Sequence, residues 1–227
     1  MKDADSILIL SACTATKATR GSKLPVLAEE LYAGQQHRRL MRGVQSYRVA
    51  GEPGGRLELQ ILSAGRGVVA ADQPLRSYDA TFTGMRRAQL RRRAARLGVP
   101  KAVSGLLSQR RRLAVLLLGE DYLDAAQLAS GIELGAPTLV FTSPRAGARL
   151  PSLPGLYPIA LDNDDARRLS CGLVALKGEL AARLLLRLAH TPKARVPVER
   201  AGLLAWLEEA PESTVVRSPQ HDLARVA

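Results

Sequence analysis

The first side chains able to do chemistry stand where an apolar run ends. "SILILSA" (6–12) leads into "CTATKATR", so Ser11, Cys13, Thr14, Thr16 and Lys17 fall within seven positions. Hydroxyls, turn amides and a lysine directly after a buried strand can hold a phosphate or carboxylate. The Gly-rich spacing of a Walker A loop is missing. A second group lies in "ILSAGRGVVAADQPLRSYDATF" (61–82). Ser63 ends another apolar run, and Gly65-Arg66-Gly67 allows the backbone to approach a ligand closely with Arg66 beside it. Tyr78, Asp79 and Thr81 follow a Pro-containing turn. Asp79 is suited to accept a proton or orient a base edge, and Tyr78 to stack on a ring or donate a hydrogen bond. The bland alternative makes Asp79 the cap of the next helix, with Tyr78 packed beneath it.

The third group is a run of charge. From Ala80 to Gly119 there is no acid, while Arg86, Arg87, Arg91, Arg92, Arg93, Arg96, Lys101, Arg110, Arg111 and Arg112 all fall inside. On a helical wheel Leu90, Ala94 and Leu97 share a face, and Arg92 and Arg96 point away from it. Like charges at i,i+4 destabilise a bare helix, and a bound polyanion relieves that repulsion. A solvated helix face is the alternative. "ARLGVPKAVSGLL" joins two helical segments through a Gly-Val-Pro turn and loosely resembles a helix-hairpin-helix, without its Gly-x-Gly hairpin.

Other reactive residues carry less. Cys13 would be a nucleophile if Lys17 or a helix start lowered its pKa, and is otherwise a small buried thiol. Cys171 sits in a Leu/Ala-rich helical pattern and reads as core. The two cysteines form neither a CxxC pair nor a Cys/His array, so neither a disulfide framework nor a metal site is expected. His37, His190 and His221 have no catalytic spacing, and His37 in "GQQHRR" reads as a surface residue. No HExxH, GxSxG or paired-carboxylate motif is present, and no cofactor is expected.

The elements that must position these groups alternate. Apolar runs at 6–12, 56–64, 113–119 and 137–143 read as strands. Helical patterns fall between them: pieces over 24–43, broken near Gly34 and stopping at Gly43; a helix at 83–97; another from Pro100 to about 109; and a helix start with acids at "EDYLDAAQLAS". Residues 143–158 read as a Gly/Pro-rich loop, and "NDDARRLSCGLVALKGELAARLLLRLAH" as one long amphipathic helix opened by an Asn/Asp cap. This alternation predicts an α/β fold with a mixed or mostly parallel sheet flanked by helices. The α/β domain is expected over 1–190, with its Arg-rich helical segment at 83–112. A C-terminal extension over 191–227 would hold one helix. Ligands are expected where loops leave the strand ends.

Composition narrows the classes. The 227 residues are 46% hydrophobic but only 4% aromatic, so the core must be built from Leu, Val and Ala. Lys and Arg outnumber Asp and Glu by 33 to 21, a net charge of +12 that favours nucleic acid or another polyanion as partner. "MKDADSILIL" is unlike a signal peptide, and no run of about 18 uncharged apolar residues exists to span a membrane. The chain reads as soluble and cytoplasmic.

Four stretches in order, "ILILSACTATK", "LYAGQQHRRL", "ILSAGRGVVAADQPLRSYDATF" and "LLLGEDYLDAA", resemble the YaaA-like family of peroxide stress proteins and related bacterial domains, over about residues 1–125. In that family a first strand leads to a Ser/Cys and Lys loop, followed by Leu-Tyr-x-Gly, a Leu-Ser-x-x-Tyr/His-Gly-Leu stretch and a later strand with x-Asp/Glu-Tyr. Arg66 stands where the family has an aromatic or histidine. The resemblance implies an α/β fold with a positively charged cleft, DNA binding in oxidative stress, and no established reaction. It would bring Lys17, Tyr32, Gly34, Ser63, Gly67, Tyr78 and Tyr122 to the cleft. The leading expectation is thus a DNA-binding protein whose arginines grip phosphate, with the 11–17 and 63–81 loops lining the cleft. The rival is a nucleobase- or nucleotide-processing enzyme, such as a DNA glycosylase of the repair type. There Asp79 would activate water, Tyr78 would stack on an extruded base, and Lys17 or Ser11 would hold phosphate. A third reading is a structural protein with a solvated Arg-rich face.

Overall fold

The computed structural model describes residues 5–17 and 24–209. Its centre is a six-stranded sheet in the order β4-β3-β1-β6-β7-β8. Five strands are parallel: β1 (Ile7–Ala12), β3 (Leu57–Ser63), β6 (Leu113–Leu117), β7 (Thr138–Thr142) and β8 (Leu156–Ala160). β4 (Gly67–Ala70) folds back antiparallel on β3, and a small separate ladder pairs β2 (Val26–Leu27) with β5 (Pro74–Leu75). The expected α/β architecture is therefore present, mostly parallel, with a C-terminal helix.

The buried parallel strands are continuous apolar runs because both faces of the sheet are covered. One face packs against α1 (Ala28–Leu31), α3 (Arg87–Arg96), α4 (Val99–Leu107), α5 (Glu120–Ala126) and α6 (Pro144–Gly147). The other packs against α2 (Gln35–Val49), α7 (Asn163–Arg168), α8 (Leu173–His190) and α9 (Arg200–Glu208). From β1 the chain crosses to β3 on one side, whereas β6 lies on β1's other side and leads outward to β7 and β8. The strand order thus reverses between β1 and β6, and the loops leaving their carboxyl ends diverge. That is the place where open α/β sheets bind ligands. No helix among the described residues is long and apolar enough to cross a membrane.

Several elements differ from the sequence reading. Helix α2 does not stop at Gly43 but continues to Val49. Gly43 is there for closeness: a Cβ on it would lie 2.4 Å from the Ala182 Cα of α8, and one on Gly178 would lie 2.0 Å from the Gln36 carbonyl oxygen. His37, expected at the surface, is buried, with Nε2–H donating to the Glu29 carbonyl at 2.7 Å. The long helix from Asn163 is two helices, broken where Ser170 takes a positive φ of 48° and Cys171 turns into the groove between them. The 143–158 loop hides β8, an edge strand that tolerates Pro158 because one side of its backbone has no partner. Leu203, Leu204 and Leu207 of α9 enter the same core as α8, and the polar tail beyond 209 lies outside the described residues.

The α2–α8 contact gives a paired test. Gly→Ala in a helix interior gains about 1 kcal/mol of propensity, but at Gly43 overpacking against backbone costs about 1–3 kcal/mol or more. Gly43→Ala should lower the stability measured by urea unfolding. Gly105→Ala in α4, where a Cβ meets nothing within 4 Å, should raise it. Equal effects at both positions would contradict the close helix approach.

Candidate functional site

Two clusters of polar side chains meet at the carboxyl ends of β3, β1 and β6. In the first, Cys13 follows β1 and Tyr122 lies in the first turn of α5, after β6. The Cys13 Sγ and the Tyr122 hydroxyl are 3.1 Å apart, and the Ala64 N–H donates to the same sulfur at 3.4 Å. Phe82 seals this pair with an edge-on ring 5.4 Å from Tyr122. Both cysteines are free thiols.

In the second cluster Ser63 Oγ accepts the Gly65 N–H at 3.3 Å and the Arg66 N–H at 3.0 Å. Those two bonds fill its lone pairs, so its own proton goes to the Tyr78 oxygen. The Tyr78 and Tyr32 hydroxyls meet at 2.7 Å. Tyr32 also interacts with Ser63, so the three hydroxyls form one closed cluster. Burial pushes Tyr32, Tyr78 and Tyr122 above the usual tyrosine value, and the neighbouring Cys13 adds to the rise at Tyr78 and Tyr122. These phenols act as neutral donors, not as bases.

Lys17 sits over this chain. It is only 7% exposed, and its Nζ lies 4.8 Å from the Tyr78 ring centre and 6.0 Å from that of Tyr32. Its one hydrogen bond runs to the Thr14 carbonyl at 3.3 Å, and no carboxylate pairs with it among the described residues. Cation–π contacts supply about 0.5–2 kcal/mol, whereas desolvating an ammonium costs of the order of several kcal/mol. Arg66 is exposed at the rim, 5.9 Å from the same Tyr78 ring. Lys17 is thus a nearly buried cation whose partners among the described residues are two aromatic faces and one carbonyl.

The loops that carry these residues are locked by protein contacts. Thr14 Oγ1 donates to the Thr16 carbonyl at 2.8 Å and accepts the Gly34 N–H at 3.2 Å. Gly34 caps α2 and presses on Thr14, where a Cβ would come within 2.6 Å. Gly65 and Gly67, expected to let a ligand approach the backbone, are filled from within. A Cβ on Gly65 would strike the Tyr78 ring at 2.6 Å, and one on Gly67 (φ 79°) the Leu97 carbonyl at 2.6 Å. The amides of residues 64–66 are likewise spent on Cys13 and Ser63.

Of the remaining site residues expected from sequence, Ser11 is separated from the cluster. It is buried against α2, where Gln36 Nε2 donates to its oxygen at 3.3 Å and to the Leu117 carbonyl at 3.1 Å. Asp79 is exposed, with no hydrogen bond among the described residues, and lies seven positions before Arg86, the actual N-cap of α3. It neither joins the hydroxyl chain nor caps the helix. Residues 18–20 of the first loop lie outside the described residues.

The basic run divides in two. Arg111 is buried in an ion pair with Glu58 of β3 at 2.5 Å, and Arg112 donates to the Gly54, Pro192 and Ala194 carbonyls, so both are fold residues unable to reach a phosphate. Arg93 Nε donates to the Ala64 carbonyl at 3.0 Å and thereby anchors α3 on the site loop, a role no sequence pattern reveals. Arg87 pairs with Asp124 of α5 at 2.8 Å, and Arg91 approaches it at 3.6 Å. Arg66, Arg86, Arg92, Arg96, Lys101 and Arg110 are exposed, and none has a carboxylate within ion-pair distance among the described residues.

Comparison of the chain with protein-family models, curated proteins and solved structures finds no match. Fold and site define the class by themselves: a doubly wound α/β protein with a packed tyrosine cluster under Lys17 at the point where its strand order reverses.

Two outcomes follow. Ser63→Ala and Tyr78→Phe each strand a buried partner, costing about 1–3 kcal/mol. Their double mutant should lose less than the sum, with about 1 kcal/mol of coupling in a urea-unfolding cycle; strict additivity would contradict the hydroxyl chain. As for pH, burial holds Tyr47 up to about 12 and raises Tyr32, Tyr78 and Tyr122, while unfolded phenols ionise near 10. Above about pH 10 the unfolded chain then binds fewer protons than the folded one, so stability must fall as pH rises. The urea midpoint should drop between about pH 10.5 and 11.5; a constant midpoint would show that these phenols ionise normally in the fold.

Proposed function

We propose that this protein binds nucleic acid, with DNA as its main partner and phosphate as the group it grips. The observation that carries the reading is the set of exposed, acid-free cations: Arg66, Arg86, Arg92, Arg96, Lys101 and Arg110. Elsewhere some arginines find acids, as where Arg39, Arg42 and Arg183 share Glu179, Arg48 meets Glu29, and Arg168 and Arg187 meet Glu208 and Glu209. Arg38, Arg76, Arg145 and Arg195 are exposed with no acid in ion-pair distance among the described residues. What sets the α3–α4 segment apart is that no acid falls between Ala80 and Gly119. Six unpaired cations around α3 and α4 suit a phosphate backbone, whose neutralisation releases counterions. Such contacts position the nucleic acid without reading its sequence. Lys17, beside the strand-end loops, would add one further cation to that grip. The resemblance to the YaaA-like family extends the reading to DNA protection in oxidative stress.

A second reading, a nucleobase- or nucleotide-processing enzyme, is favoured by the neutral phenol donors beside Lys17 at the switch point. In it Tyr78 and Tyr32 protonate or hold the departing group, and Asp79 would act only from the solvent side.

Fluorescence anisotropy with a labelled duplex and its single strand, titrated across salt, tests the proposal. Affinity should fall linearly on logarithmic axes, and Arg92→Gln with Arg96→Gln should reduce the slope by about 1–2. No binding at low salt, or no effect of these substitutions, overturns it. Release of free base from bound DNA, lost in Tyr78→Phe, would move the conclusion to the second reading.

A further inference from the structure

On the α2–α8 side of the switch point lies a cavity of about 390 Å³ that none of the residues above uses except Gln36. It opens over the carboxyl ends of β6, β7 and β8, bounded by Gly119, Thr142, Ser143 and Leu161, with Leu173, Val174, Leu176 and Lys177 of α8 as its other wall. One charged group lines it without a partner. Thr142 offers no ligand group there, being 2% exposed, with its Oγ1 enclosed without a hydrogen bond and its methyl facing Gly147 of α6. Lys177 is half-buried, with neither a hydrogen bond nor an ion pair among the described residues, and a Cβ on Gly119 would lie 3.9 Å from its Nζ. Burial alone lowers the Lys177 pKa to about 8, so at neutral pH it remains a desolvated cation.

The neighbouring groups are already engaged. Ser143 Oγ accepts the Ala146 N–H and donates to Glu120 at 3.1 Å; Glu120 also faces Arg149 at 3.6 Å. Gln36 Nε2 is committed to Ser11 and Leu117, and Glu179 is held by Arg39 and Arg183. The unpaired side-chain cation is Lys177 alone, against an otherwise apolar wall. Leu173 and Val174 stay 46% and 69% exposed at the rim. One positive charge matches the single charge of a carboxylate better than the double charge of a phosphate dianion.

We propose that this cavity binds a small monocarboxylate with an apolar body, its carboxylate held by Lys177 and its body lying on Leu161, Leu173, Val174 and Leu176. The volume falls within the usual range for small-molecule sites, which are mostly apolar with a few convergent polar groups. This site is independent of the nucleic-acid reading, since it lies across β1 and β6 from Lys17 and the hydroxyl chain.

Calorimetric titration with hexanoate and benzoate, with 1-hexanol and inorganic phosphate as comparisons, tests it. Either carboxylate should bind, hexanol about tenfold or more weakly, and phosphate not at all. Lys177→Met, which keeps the aliphatic stem, should lose about tenfold or more. In the unaltered protein the bound carboxylate should protect Lys177 from reductive methylation, read by mass spectrometry, so the proposal stays testable if a variant fails to fold. No binding of either carboxylate up to about 50 mM, equal binding of hexanol, or undiminished affinity in Lys177→Met overturns the proposal. Duplex binding by Lys177→Met should match the parent protein, which separates failure here from failure of the nucleic-acid reading.

Discussion

The structure depends on the side-by-side pairing of β1 with β6 while the chain leaves β1 toward β3. Two parallel neighbours whose outgoing connections diverge cannot close the space above their carboxyl ends. The polar clusters border that space, Cys13, Ser63, Tyr78 and Tyr122 on the side of α3–α5, and Ser11, Gln36 and Lys177 on the side of α2 and α8. Alternation along β1 puts Leu8, Leu10 and Ala12 in one core and Ile7, Ile9 and Ser11 on the side of α2, while Cys13, past the end of the strand, turns to the tyrosines.

The same pairing sets the electrostatics. A protein with this excess of cations has acids for only some of them, and the fold spends those acids on joints. Glu58 holds Arg111 under the sheet, Asp124 ties α5 to α3 and to Arg149, and Asp165 ties α7 to Arg200. What is left without an acid among the described residues includes Arg38, Arg76, Arg145 and Arg195 at separate surface positions, is densest on the ridge of α3 and α4, and includes Lys17 and Lys177. A cation partly removed from water without a counter-ion is destabilising, so Lys17 and Lys177 are more readily understood as binding groups than as packing.

Neutrality of the phenols is the counterpart of those charges. Tyr32, Tyr78 and Tyr122 are kept protonated by burial, and the Ser63 hydroxyl is oriented by two backbone amides, so the crevice presents fixed donors beside a fixed cation. Preorganised donors of this kind favour negative charge without reorganising when it arrives. Because Gly65 and Gly67 are packed against Tyr78 and Leu97, the loop that carries Ser63 is held by the protein alone.

By itself the sequence determined the four adjacent strands β3, β1, β6 and β7 and the class of fold, because buried parallel strands are legible as apolar runs and their polar ends as breaks. Tyr32 and Tyr122 came only from the family resemblance. It also placed Leu90, Ala94, Arg92 and Arg96 on their correct faces of α3. Tertiary structure decided the rest. Gly43 looked like a stop because local propensity disfavours glycine in helices, yet α8 requires its bare Cα. β8 was hidden because Pro158 is tolerable only at an edge, and which strand is at the edge is not a local property. Arg111 and Arg112 were indistinguishable from Arg92 and Arg96 as letters; their acid and carbonyl partners lie more than fifty residues away in the chain. Lys177 read as one position of an amphipathic helix, and only the meeting of α8 with the ends of β6 and β7 sets it beside Thr142. Pairing between distant segments is decided by which surfaces bury together, and no window of sequence contains that information.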